Sequence, residues 1–198
     1  INERGDAMLK LGESWMKAGE YEEAILPLTE AADLAPDSPA PINALCKVYE
    51  AKKDWEEVVR LKTRRLDVVV GDERSGLLLE IGDILANQMN DRTRAAKSYV
   101  AALDERPDDR KTLTKLMQLY SEEKDWAKLI EVVLKLASKV DDPKQKVKYL
   151  HTAAIVSAKQ LQDYEQASKF YDEVLTLDPH FEKAQAELME IRELRGDH

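Results

Sequence analysis

Three prolines set the frame for everything else in this chain. Pro36, Pro107 and Pro179 stand 71 and 72 residues apart. Each closes a similar phrase: Thr29-Glu30-Ala31-Ala32-Asp33-Leu34-Ala35-Pro36, Ala101-Ala102-Leu103-Asp104-Glu105-Arg106-Pro107, and Val174-Leu175-Thr176-Leu177-Asp178-Pro179. Between them Lys53-Asp54-Trp55 recurs as Lys124-Asp125-Trp126, and Tyr49 as Tyr120, again 71 residues apart. Such a superperiod fits two repeats of about 34 residues with small insertions. A chain that repeats in this way does not close one core. Each unit has more apolar face than it can bury alone, so neighbours must stack. Apolar residues recur at spacings of three and four, which places them on one face of a helix.

The first unit, 5–38, carries Met8, Leu11, Gly12, Trp15, Ala24, Leu28, Ala31 and Pro36, with Gly19 and Tyr21 at the turn and second helix. A second, 39–74, carries Ile42, Leu45, Cys46, Tyr49 and Trp55, then departs at Lys62 and Arg65. A third, 75–109, has Leu78, Ile81, Gly82, Leu85, Ala95, Tyr99, Ala102 and Pro107, with one extra residue before Ala95. A fourth, 110–146, has Leu113, Leu116, Met117, Tyr120, Trp126 and Val133 but no closing Pro. A fifth, 147–180, has Leu150, Ala153, Ala154, Ala167, Tyr171, Val174 and Pro179, again with an insertion before Ala167. A last helix, 181–196, follows with Phe181, Ala184, Leu188 and Ile191.

This order of large, small, aromatic and proline positions resembles the tetratricopeptide repeat (TPR) family, and the pairing of repeats resembles bacterial members with tandem, divergent units. The resemblance implies an all-α, right-handed α-α superhelical solenoid of about five TPR-like helix pairs plus a C-terminal helix, forming one domain over 1–198. Eleven helices and no sheet are expected. The small residues at Gly12, Gly82, Ala24, Ala95 and Ala167 let paired helices approach closely. The aromatics Trp15, Tyr49, Tyr99, Tyr120 and Tyr171 are expected to be buried between helices. Pro27 falls inside a second helix, where it should remove a hydrogen bond and kink the chain.

Composition excludes several classes. The net charge of −9 lacks the basic footprint of a nucleic-acid binder. The one basic cluster, Arg60, Lys62, Arg64 and Arg65, reads as a solvated helix face. No run of eighteen apolar residues is present to cross a bilayer, and the first residues do not read as a signal peptide. A cytoplasmic location is expected, as is a longer parent protein, since the sequence does not begin with Met. Gly71-Asp72-Glu73-Arg74-Ser75-Gly76 is followed by Leu77-Leu78 instead of the Lys and hydroxyl of a phosphate loop, so it reads as a turn between repeats. His151, His180 and His198 lack partners at metal-ligand spacing, and the acidic cluster Asp104-Glu105 with Asp108-Asp109 lacks a calcium-loop glycine. Cys46 takes a small core position. No catalytic residue, metal or cofactor is expected.

In a TPR solenoid the first helix of each pair lines the concave side. Register along those helices directs Leu9, Glu13 and Met16; Asn43 and Lys47; Leu79 and Asp83; Thr114 and Gln118; and Lys148, His151 and Ile155 inward. The expected function is a protein-protein interaction scaffold that binds a peptide or protein partner on this concave face, across the first helices of repeats two to four. The alternatives are a regulatory TPR segment of a multidomain enzyme whose catalytic domain lies outside this chain, or a self-assembling scaffold whose terminal repeats stack. Some family members clamp a terminal carboxylate with basic residues, but the corresponding places here hold Leu9, Glu13, Ala44, Gly76 and Glu80. Others bind peptide backbone with an Asn ladder, and here those places hold Lys10, Ala44, Glu80, Lys115 and Thr152. Both special roles are disfavoured.

Overall fold

The computed structural model describes residues 3–196, and over them the chain is helical, with no strand. Eleven helices follow in order: α1 (Glu3–Ala18), α2 (Tyr21–Leu34), α3 (Pro39–Ala51), α4 (Trp55–Arg65), α5 (Gly71–Asn87), α6 (Arg92–Glu105), α7 (Arg110–Glu123), α8 (Trp126–Lys139), α9 (Pro143–Lys159), α10 (Tyr164–Leu177) and α11 (Glu182–Arg195). These are the expected five helix pairs and a final helix. They gather into two compact units that divide within α6, one ending at Ser98 and the other starting at Tyr99. In the first, α1 packs on α2, α2 on α3, α3 on α4 and α4 on α5. In the second, α7 packs on α8, α8 on α9, α9 on α10 and α10 on α11.

Turn chemistry fixes where the helices stop and start. Each inner turn holds one residue at positive φ: Gly19, Lys53, Asn90, Lys124 and Gln162. The next residue's N–H reaches back to the helix it leaves. In the short turns Glu20, Asp54 and Asp125 donate to the carbonyls of Trp15, Tyr49 and Tyr120, five residues back. This is the hydrogen bond of a Schellman cap. In the two lengthened turns Asp91 and Asp163 donate to Leu85 and Ser157, six residues back, so the extra residue widens the closing loop and leaves the pair intact. Asp54, Asp109, Asp125, Asp142 and Asp163 then cap the following helices through their carboxylates. That satisfies backbone N–H groups otherwise left without partners.

Two boundaries differ from the sequence reading. Gly71 to Gly76 is not a turn: it forms the opening turns of α5. Likewise α9 opens at Pro143, with Asp142 as its cap. Both helices have 17 residues, against 13 in α3 and 14 in α7. One added turn in every second pair explains why the superperiod exceeds twice the ordinary repeat. α2 also continues through Pro27 without a break, and Pro27 is buried within it.

Packing follows the small positions. A Cβ on Gly12 would run into the side chain of Leu28, so α1 lies directly against α2 there. Ala24, Ala95 and Ala167 are fully buried. In the first unit Leu28, Ile42, Leu45, Val48, Val58 and Leu61 form a continuous core, with Leu9, Met16, Tyr49 and Trp55 packed around it. Cys46 sits in this core. Tyr99, Tyr120 and Tyr171 are buried as expected, and Tyr49 is half-buried. Trp15 is the exception: it is 38% exposed.

Candidate functional site: a groove between α1 and α3

The side chains of α1 and α3 that do not enter the core line an open groove of about 570 Å³. Glu13, Met16 and Lys17 form one wall, and Ala40, Asn43, Ala44 and Lys47 the other. The sequence explains the arrangement. Glu13, Met16 and Lys17 share one side of α1, and Ala40, Asn43, Ala44 and Lys47 recur at three and four along α3. The floor is small and apolar at Ala40 and Ala44, and Met16 adds an adaptable contact. Asn43 is oriented from behind, because its Oδ1 accepts a hydrogen bond from Arg65 at 3.0 Å. Its two amide N–H donors remain for the groove. Glu13, Lys17 and Lys47 carry no ion pair among the described residues. The lining therefore holds two positive charges and one negative in a chain whose net charge is −9.

Of the residues expected on an inner surface, Glu13, Asn43 and Lys47 come together here with Met16. Leu9 is half-buried against the core of the same unit. Leu79 and Asp83 lie one turn apart on α5, both half-buried. In the second unit Thr114 and Gln118 are exposed one turn apart on α7. There Thr114 donates to the carbonyl of Arg110, and Gln118 donates to Glu122 at 2.9 Å. Ile155 is half-buried on α9. Lys148 lines a separate small recess with Asp108, Arg110, Leu113, Gln145, Tyr149 and Thr152. Lys17 and Ala40 were missed, although each lies one helical turn from a residue that was chosen.

His151 departs from its expected role. It is 8% exposed. Its Nε2 lies 2.6 Å from Glu187 Oε2, and its ring packs edge-on to Phe181 and Tyr171. α11 covers it, so it holds the last helix in place and does not face a partner.

The basic cluster is also accounted for. Arg60 pairs with Glu57, Lys62 with Glu80, Arg64 with Asp33, and Arg65 with Glu73. Its charges tie α4 to α2 and α5. Burial pushes the Cys46 thiol up to about 11, with Lys62 opposing the shift, which keeps the thiol neutral in the core. Among the described residues no three His, Cys, Asp or Glu side chains are placed to hold a metal ion. No described helix is long and apolar enough to cross a membrane.

Comparison with known proteins settles the family. Tetratricopeptide repeat models match residues 6–38 and 148–181, the first and last of the five helix pairs. This chain is a tetratricopeptide repeat protein. Among solved structures, a TPR-repeat protein of Bacteroides fragilis superposes with a TM-score of 0.61 at 11% identity, over 96% of this chain and 98% of that one. The N-terminal domain of stress-induced protein-1 from C. elegans gives 0.50 at 20% identity, over 60% of this chain and 95% of that one. The Naa15/Naa10 structure bound to HypK gives 0.53 at 17% identity, over 98% of this chain but 29% of the matched one. No curated protein matches the chain. At these identities the structural likenesses establish the fold. The tetratricopeptide repeat is a protein-interaction fold and generally non-enzymatic, and this TPR chain is accordingly an interaction scaffold.

Proposed function

We propose that this TPR protein captures a peptide or helical segment of another protein in the groove between α1 and α3, as part of a larger polypeptide. The observation that carries the reading is the groove itself: an open cleft lined by Glu13, Lys17 and Lys47, none of them in an ion pair among the described residues, and by an Asn43 amide fixed from behind. A floor of Ala40, Ala44 and Met16 suits one apolar anchor. Lys17 and Lys47 favour a carboxylate beside that anchor, and Glu13 sets the direction of the bound segment by repelling the same carboxylate from the other end. The matched Naa15/Naa10 structure is itself bound to another protein, HypK. Leu79 and Asp83 on α5, and Thr114 and Gln118 on α7, are the next candidates for contact as a partner extends.

The test is selection of peptides from a displayed random library against the whole chain. Selected sequences should carry an apolar residue with neighbouring Asp or Glu. Lys47→Glu combined with Asn43→Ala should weaken the selected peptides by more than about tenfold, about 1.4 kcal/mol or more, with an unchanged melting temperature. Peptides that bind both forms alike would place the partner elsewhere.

A further inference from the structure

The small recess between α7 and α9 belongs to the second unit alone, and it gathers a charge that the chain as a whole lacks. Arg110 on α7 and Lys148 on α9 line it, and both are exposed. Lys144, one turn before Lys148, continues the row and is exposed too. None of the three is in an ion pair among the described residues. α9 holds four lysines and no acid, in a chain whose net charge is −9. The repeat does not require these cations. One superperiod back the same places hold Pro39 for Arg110, Asp72 for Lys144 and Gly76 for Lys148, and α3 and α5 form there all the same. Nor do the cations favour folding. Arg110 and Lys144 stand in the first turns of their helices, where the helix dipole disfavours positive charge. Lys144 and Lys148 are like charges four residues apart on one helix, which repel. The capping carboxylates of Asp109 and Asp142 are engaged by backbone N–H groups and pair with none of them.

We infer that this recess is a second docking site, independent of the α1–α3 groove, and that it takes an acidic segment of a partner protein. Its size limits the occupant. The space is about 80 Å³, room for the end of one side chain. Its floor is the half-buried Leu113 and the buried ring of Tyr149. A glutamate fits both parts: its methylenes meet this floor, and its carboxylate meets Arg110 and Lys148. The Gln145 side chain adds amide N–H donors for the same carboxylate. A neighbouring acidic residue reaches Lys144, which relieves the repulsion along α9. The walls are already held in place. Tyr149 donates its hydroxyl proton to the carbonyl of Pro107, which ties the loop before α7 to α9. Asp109 caps α7 through the Lys111 N–H at 3.2 Å. Little ordering is then needed on binding. Asp108 is the one acid in the lining. With the overall −9 it disfavours a nucleic acid or an anionic membrane, whose charges extend past the recess onto an acidic molecule.

The probe is a fluorescent peptide of alternating Glu and Ser, which offers no apolar anchor to the α1–α3 groove. Fluorescence anisotropy on the full chain should show it binding at least about tenfold tighter than the same peptide with Gln for Glu. Arg110→Glu combined with Lys148→Glu should weaken the acidic peptide by at least about tenfold. That variant should melt no lower than wild type, because Lys148→Glu turns a like-charge pair with Lys144 into an attractive one. Lys17→Glu combined with Lys47→Glu makes the same change of net charge in the α1–α3 groove and should leave the affinity within about twofold. Polyuridylate should not displace the peptide. The proposal is overturned if the acidic peptide does not bind below about 1 mM, or if the Gln peptide binds as well. It is equally overturned if both double variants lose affinity alike, if the Arg110 and Lys148 variant melts lower, or if polyuridylate displaces the peptide.

Discussion

At the scale of single residues the five inner turns pose one shared requirement, a residue at positive φ, and the chain meets it unequally. Gly19 meets it without steric cost, and Asn90 is a residue type that tolerates it. Lys53 and Lys124 do not belong to that group. Their Cβ atoms crowd the backbone in the left-handed region, at φ of 57° and 55°. They also stand 71 residues apart, so the same compromise is repeated in the second and fourth pairs. Lys53→Gly and Lys124→Gly should therefore each stabilise the chain by about 0.5–1 kcal/mol, after allowing for the added freedom of glycine in the unfolded state. Urea unfolding should show a higher midpoint with an unchanged slope. A lower midpoint would mean that the lysine side chains contribute more through contact than the backbone loses through strain.

At the scale of elements, α11 is the helix whose attachment is most unlike the rest. Only Ala184, Leu188 and Ile191 of α11 are buried, and the remaining hold comes from Glu187 against His151, with Phe181 packed edge-on to the same ring. The charge of Glu187 also adds to the burial that holds the Tyr171 phenol above its ordinary range. Replacing Glu187 with Ala leaves the enclosed His151 ring nitrogen without a partner, at a cost of about 1–3 kcal/mol. Limited proteolysis should then cut within α11 before any other helix, and wild type should resist longer. If the two forms are cut alike, water substitutes for the carboxylate. The sequence foretold α11 itself, because Phe181, Ala184, Leu188 and Ile191 repeat the spacing of every first helix. It could not foretell the fate of His151. Helical register showed which side of α9 the imidazole takes, but not that Glu187, 36 residues on, would close over it. The groove was legible for the opposite reason. Glu13, Asn43 and Lys47 lie on helices joined by a single intervening helix, so register on each was enough to bring them together. The added turns of α5 and α9 were hidden because Gly71 and Pro143 are residues that ordinarily mark a boundary, and here both serve as first helical residues.

At the scale of the whole molecule, the buried acids of both units lean the same way. In the first unit burial raises the Cys46 thiol from 9.0 to about 11 and lifts the Tyr49 phenol above its ordinary value of 10.0. In the second, burial raises Tyr120, Tyr149 and Tyr171, with Glu187 adding to the effect at Tyr171. Tyr149 also donates its hydroxyl proton to the carbonyl of Pro107, which favours the neutral phenol. Each of these groups keeps its proton in the folded chain to a higher pH than in the unfolded chain. Folded chains then bind more protons than unfolded ones once pH exceeds the unfolded values, so stability must fall as pH rises there. Below about pH 8 every such group is almost wholly protonated in both states, and none contributes an appreciable slope. The loss should begin near pH 9.0, as the unfolded thiol ionises, and steepen past 10.0 as the unfolded phenols follow. Urea midpoints measured from pH 7 to 11 are expected to be flat at first and then to decline. Cys46→Ala should delay the onset of that decline to about pH 10, because it removes the only thiol and leaves the phenols. Tyr171→Phe should instead keep the early onset and soften the later descent. A stability curve that stays level through pH 11 would show that the thiol and the phenols are open to solvent, which their burial in both cores does not allow.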